Sequence, residues 1–90
     1  VVNVFVIEVY DVNQKRVAKV LKISRKYLYW VQNSVLEGEI TEAYFRMLKA
    51  ELARTINNEE DSIIFYTFRT TKYSERESMG IVKGGEEKIY

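Results

Sequence analysis

The side chains best placed for chemistry sit in the segment VFVIEVYDVNQKRVAKV, residues 4–20. A run of apolar, β-branched and aromatic residues ends at Tyr10. One carboxylate, Asp11, follows it, and then a segment carrying Lys15, Arg16 and Lys19. A carboxylate can hold a hard cation such as magnesium, and lysine and arginine can hold phosphates, so this segment has the ingredients of phosphodiester chemistry. Asp11 alone is a poor magnesium site, because magnesium takes octahedral oxygen coordination, often from more than one carboxylate with waters. Glu8 does not complete it: three residues back along a strand, it faces the other side, roughly 10 Å away. In a symmetric dimer whose axis passes near the end of this strand, Asp11 would meet its own copy. A shared cation would then relieve the repulsion between the two carboxylates and lower the pKa of a bound water. The plainer reading is a helix cap. Asp11 or Asn13 could accept from the first turn, and Gln14 follows Asp11 at capping-box spacing.

Composition narrows the alternatives. The chain has 90 residues, 47% hydrophobic and 30% charged, as expected of a small globular domain, and residues 1–90 read as one domain without linker or repeat. Cysteine and histidine are both absent, which excludes disulfides, thiolate and imidazole metal sites, and histidine acid–base work. Chemistry must use carboxylates, hydroxyls, amines or water on a hard metal. No apolar run approaches a membrane span. The opening VVNVFVIEV lacks a basic leader and reads as a strand rather than a signal peptide. The lack of cysteine suits a cytoplasmic protein.

The net charge of +1 hides a lopsided map. No acid lies between Asp11 and Glu37, and that interval carries Lys15, Arg16, Lys19, Lys22, Arg25 and Lys26. Like charges at i, i+4 on a helix repel, and a polyanion such as RNA or DNA would compensate them. The competing reading is a solvated helix face. Arg69 at a strand end would extend the basic patch. Ser34 could orient a phosphate or a metal-bound water, or simply bond its own turn. The tyrosines and Trp30 could stack on bases, although core and interface roles explain most of them. The acidic run Glu59–Asp61 reads as a solvated loop. No base-reading motif is present.

The elements that must position these residues follow from periodicity. Residues 2–10 read as a central strand, apolar at both parities apart from Glu8, which needs a partner. Residues 13–28 read as a helix with Val17, Val20, Leu21 and Leu28 on one face. YWVQNSVLEGEI, 29–40, reads as two strands split by a tight turn at Gln32–Ser34. Thr41 starts a second helix whose stripe is Phe45, Leu48, Leu52 and Ile56, ended by Asn57–Asn58. Residues 62–69 read as a strand, with a short strand at Met79–Val82 and the tail EEKIY as a further edge strand. The class is α+β, a ferredoxin-like βαββαβ order with an extra C-terminal strand. With both helices on one sheet face, the apolar set Phe5, Ile7, Val9, Ile63 and Phe65 exceeds what one core can take, and a symmetric homodimer, sheet on sheet, would cover the surplus.

Motifs in that order carry a resemblance. VYDV at 9–12, R-V-x-K-V-L-K at 16–22, WVQNSVLEGEIT at 30–41, DSIIFYTFR at 61–69 and MGIVKG at 79–84 make the chain similar to the CRISPR-associated protein 2 family, the small subunit of the CRISPR adaptation machinery. The resemblance implies a ferredoxin-like homodimer, often with the C-terminal strand, here residues 83–90, paired onto the other subunit. It implies a metal-dependent endonuclease, mostly on single-stranded RNA and in some members on double-stranded DNA. It also implies a second, architectural role that bridges the integrase subunit, CRISPR-associated protein 1. Asp11 matches the family's metal-associated aspartate and Tyr10 its neighbour. Arg16 matches a basic helix position tied to nucleic acid, and Ser34 falls in the matching turn. Leu36 and Trp30 depart from the phenylalanine and arginine found in many or some relatives, and the second departure removes a possible phosphate contact.

Overall fold

The computed structural model describes residues 3–69 together with Met79 and Gly80. The elements run β1 (Asn3–Asp11), α1 (Gln14–Ser24), β2 (Tyr29–Gln32), β3 (Val35–Thr41), α2 (Glu42–Thr55) and β4 (Ser62–Phe68). All strand pairs are antiparallel, and the sheet order is β2-β3-β1-β4. This is the expected ferredoxin-like arrangement, with β1 central and β2 and β4 at the edges of the described sheet. Met79 and Gly80 are not in a strand. The remainder of the expected short strand and the tail 83–90 lie outside the described residues.

Alternation along β1 sorts its side chains onto two faces. Val4, Val6, Glu8 and Tyr10 are buried beneath the helices, whereas Phe5, Ile7 and Val9 lie half-buried on the other face. Under the helices, Val20, Leu28, Leu36, Leu48 and Leu52 close one core, against which Ile63 and Phe65 pack. Phe65 meets Phe45 edge-on at 5.2 Å. The surplus apolar set therefore differs from the sequence expectation. Ile63 and Phe65 belong to the core, and Ile64, Tyr66 and Phe68 take the open face, 48%, 53% and 40% exposed. Both parities of β4 are apolar, so its own pattern did not decide between them. Its pairing with β1 does: Val9 stands opposite Ile64, Ile7 opposite Tyr66 and Phe5 opposite Phe68.

α1 is shorter than the expected 13–28. It ends at Ser24, where the chain tightens: the Ser24 carbonyl accepts from both Tyr27 N and Leu28 N. Leu28 keeps its core role from this turn, fully buried. The tight turn expected around Gln32–Ser34 is present, with Asn33 at φ 44° in the left-handed region that asparagine tolerates. A register shift between Trp30 and Gln32 adds a bulge just before it. α2 begins as expected: the Thr41 hydroxyl accepts from Tyr44 N at 3.0 Å, and Glu42 sits in the first turn.

Candidate functional site

Asp11 is the last residue of β1, exposed, and paired in register with Ser62 of β4. Its odd parity places it on the open face of the sheet, in line with Phe5, Ile7 and Val9. It does not cap α1. That role belongs to Asn13, whose Oδ1 accepts from Lys15 N at 3.0 Å. The strand continues through Asp11, so the helix takes its cap two residues later. The capping explanation for Asp11 is thereby removed.

The entrance to α1 is held by a residue the sequence reading placed in a solvated loop. The Asp61 side chain is fully buried, and both of its oxygens are engaged. Oδ1 accepts from Asn13 N at 2.8 Å and from an Arg16 terminal nitrogen at 3.1 Å. Oδ2 accepts from Arg16 Nε at 2.6 Å and from Asn57 N at 2.8 Å. Arg16 also reaches Glu60 at 2.8 Å. The Arg16 guanidinium holds the Asp61 carboxyl well below the usual carboxylate range, and Asp61 with Glu60 raises Arg16 in turn. Arg16 is thus engaged within the chain in a two-carboxylate grip. Only Glu59 and Glu60 of the acidic run remain exposed.

Tyr10 and Asp11 are neighbours in sequence and point to opposite faces of the sheet. Tyr10 is buried, its hydroxyl donates to the Asn33 carbonyl at 3.3 Å, and its N–H donates to the Ser34 carbonyl at 3.0 Å. Burial, with help from the Glu8 charge, raises its phenol pKa. Trp30 Nε1 donates to the same Asn33 carbonyl at 2.8 Å, so two aromatic side chains pin the hairpin turn. Ser34 contributes through its carbonyl at the Asp11 end of the sheet. Lys15 and Lys19 are exposed along α1 from the same end. Arg69 is not brought there. It follows the far end of β4, seven residues or roughly 23 Å from Ser62, 82% exposed and 3.5 Å from Glu42.

Glu8, the polar exception in β1, finds its partner in α1: Ser24 Oγ donates to Oε2 at 2.7 Å. Oε1 is buried with no partner. Burial pushes the Glu8 carboxyl up to about 7, against a lowering by the Ser24 hydrogen bond.

The donor set at Asp11 decides what metal chemistry is available. Among the described residues no group of three acidic, histidine or cysteine side chains comes together. Asp61 has no oxygen to spare. Glu37 stands opposite Ile7 and Glu39 opposite Phe5, so they share the face of Asp11 from four or more residues away, roughly 13 Å or further. Asp11 is an exposed carboxylate at the end of β1, and alone it falls short of the oxygen coordination that magnesium takes.

A four-stranded antiparallel sheet with two helices on one face, and an exposed carboxylate where β1 runs into a basic helix, defines a class: a small ferredoxin-like protein with an acidic–basic site at a strand end. The sequence model of the family described as CRISPR associated protein Cas2 matches residues 4–76. The CRISPR-associated endoribonuclease Cas2 of Dictyoglomus turgidum is 66% identical over 85 residues, covering 94% of this chain and 98% of the relative. The protein of the same name from Thermotoga maritima is 52% identical, covering 96% and 99%. A crystal structure of Cas2 superimposes with a TM-score of 0.82 at 40% identity, covering 98% of this chain and 99% of that one. The chain belongs to the Cas2 family.

Proposed function

We propose that the protein is a homodimeric, magnesium-dependent endoribonuclease of CRISPR adaptation, which hydrolyses phosphodiesters in single-stranded RNA at a site completed by Asp11 from each of two chains. The observation that carries this reading is the placement of Asp11. It is exposed, free of any capping role, and on the same sheet face as the apolar strip Phe5, Ile7, Val9, Ile64, Tyr66 and Phe68. A second copy laid over that strip covers it and lines up two strand ends. The name of the relatives, endoribonuclease, supports the substrate class. The tail 83–90 would add a strand to the partner's sheet.

The reaction is a hydrolysis: water adds to phosphorus, one ester P–O bond breaks, and a proton goes to the departing oxygen. The Asp11 carboxylates of the two chains would hold a magnesium ion, which would supply a lowered water pKa and charge neutralisation at the phosphate. Lys15 and Lys19 hold flanking phosphates. Arg16 serves this indirectly, fixing the start of α1 through Asp61. Tyr10 is a positioning residue in this scheme, holding the Asn33–Ser34 turn from the helix side. Ser34 lies close enough to that end to meet substrate, and Arg69 reaches only a ligand that runs the length of the sheet. The setting is the cytoplasm, and no helix among the described residues is long and apolar enough to cross a membrane.

A second reading is favoured by the lack, among the described residues, of a group of three metal-ligating side chains and by the clamped Arg16. In it the dimer is architectural: it binds duplex DNA and bridges the CRISPR integrase subunit, CRISPR-associated protein 1, without cutting. Cleavage of labelled single-stranded RNA by the parent and by Asp11→Asn, with magnesium or a chelator, separates the two. The nuclease reading expects cutting by the parent with metal alone. Absence of cutting by both, with DNA binding kept, contradicts it and leaves the architectural role.

A further inference from the structure

α1 and α2 pack side by side over the sheet, and their outer surfaces frame a cleft of about 600 Å³. Its walls carry Lys19, Lys22 and Lys26 from α1 and the turn after it, Arg54 from the last turn of α2, and one carboxylate, Glu51. Glu51 does not neutralise the set. Its two oxygens are taken by Lys26 Nζ and by the Tyr27 hydroxyl. Lys26, and then Tyr27, hold the Glu51 carboxyl below its usual range, while burial and Glu51 push the Tyr27 phenol up to about 12. Lys26 is therefore answered by Glu51. Lys19 and Lys22 have no acidic partner among the described residues, and Arg54 reaches Glu51 only by longer-range attraction. Three cations, drawn from two helices, line a concave surface with an apolar floor at Ala18 and Ile23. Such a cluster carries a repulsion that a bound anion relieves, and a concave wall concentrates the field.

We propose that this cleft is a phosphate-backbone site for single-stranded nucleic acid, on the helix side of the sheet, whereas Asp11 lies on the open face. The inference rests on the nuclease reading for its choice of nucleic acid over other anions. The helix layer's outer surface stays accessible when the open sheet face is covered by a second chain, so each protomer keeps its own cleft. Lys19 is common to this cleft and to the phosphate grip along α1, and Lys22 and Arg54 extend that grip across to α2. Arg54 and Lys22 are the residues that distinguish this site, since Arg54 comes from the helix that the basic run in the sequence does not include.

The test is binding of a labelled uridine oligomer of roughly 20 nucleotides, measured over a range of salt without magnesium, so that cleavage does not intrude. Replacing both Lys22→Ala and Arg54→Ala is expected to weaken binding about tenfold and to reduce the salt slope by about 1.4, two single-strand phosphate contacts. Arg46→Ala with Lys49→Ala removes the same charge from α2 outside the cleft and should leave both quantities near the parent's. Unchanged affinity and slope in the cleft variant overturn the proposal, and so does an equal loss in the control. Pyrophosphate binding that needs Lys22 and Arg54, while RNA binding does not, also overturns it in favour of a small free anion. These readouts do not involve Asp11, whereas persistent cutting by Asp11→Asn would refute the nuclease reading itself.

Discussion

Replacing Asp11 by asparagine keeps the size and the strand-end position and removes only the charge. Because Asn13, not Asp11, caps α1, thermal unfolding of Asp11→Asn should match the parent within about 0.5 kcal/mol. Metal-dependent cleavage should fall by more than about 100-fold, since even outer partners of a metal ligand cost up to that much. A large loss of stability with the loss of activity would show that Asp11 has a structural role. Glu8 gives a separate prediction at the same scale. Its pKa of about 7 in the fold stands above the model-compound value of 4.5. The fold therefore favours the protonated form. The associated stability is complete below pH 4.5 and is lost as pH rises through 7, a change of up to about 3 kcal/mol. Urea unfolding at about pH 5 and about pH 8 should show the protein less stable at the higher pH, with Glu8→Gln flattening the difference. Equal pH dependence in both proteins would contradict the assignment to Glu8.

At the scale of elements, the entrance of α1 is the joint on which the site depends. Asn13→Ala removes the cap and should cost about 1 kcal/mol. Asp61→Asn loses the ionic grip of Arg16 and weakens two backbone contacts, and should lower the melting temperature further. If Arg16 serves the site by holding this joint, Arg16→Ala and Asp61→Asn should lower stability and cleavage together, while RNA affinity in Arg16→Ala changes little. A sharp loss of affinity in Arg16→Ala with stability intact would restore a direct phosphate contact. The elements themselves were largely legible. The apolar run of β1, the 3.6-residue stripes of both helices, the Thr41 cap and the tight turn at Gln32–Ser34 all rest on local physics that a sequence displays. The clamp was not legible, because Arg16 and Asp61 are 45 residues apart and nothing near either signals the other. Nor was the face of β4, whose apolar residues fall on both parities until pairing with β1 chooses. Asp11 and Asn13 are both good caps by type, and the choice between them depended on how far β1 runs.

Among the described residues a strip of apolar side chains lies on one sheet face, and Lys19, Lys22 and Arg54 line the cleft between the helices. Covering the strip with a second copy fits the burial, and under the proposed function it would bring two Asp11 residues within reach of one cation. Ile64→Asp and Tyr66→Asp place a charge in the middle of that strip. Sedimentation should show each variant as a monomer where the parent is a dimer, with cleavage lost although Asp11 is untouched. A variant that stays dimeric would place the interface elsewhere. The paired carboxylate remains the central claim, and mixing tests it most directly. Parent and Asp11→Asn are combined at fixed total concentration, allowed to exchange subunits, and assayed for magnesium-dependent RNA cleavage at several ratios. If each site needs both carboxylates, activity falls as the square of the parent's share. A fall in simple proportion to the parent's share would contradict the account, since each Asp11 would then be working alone.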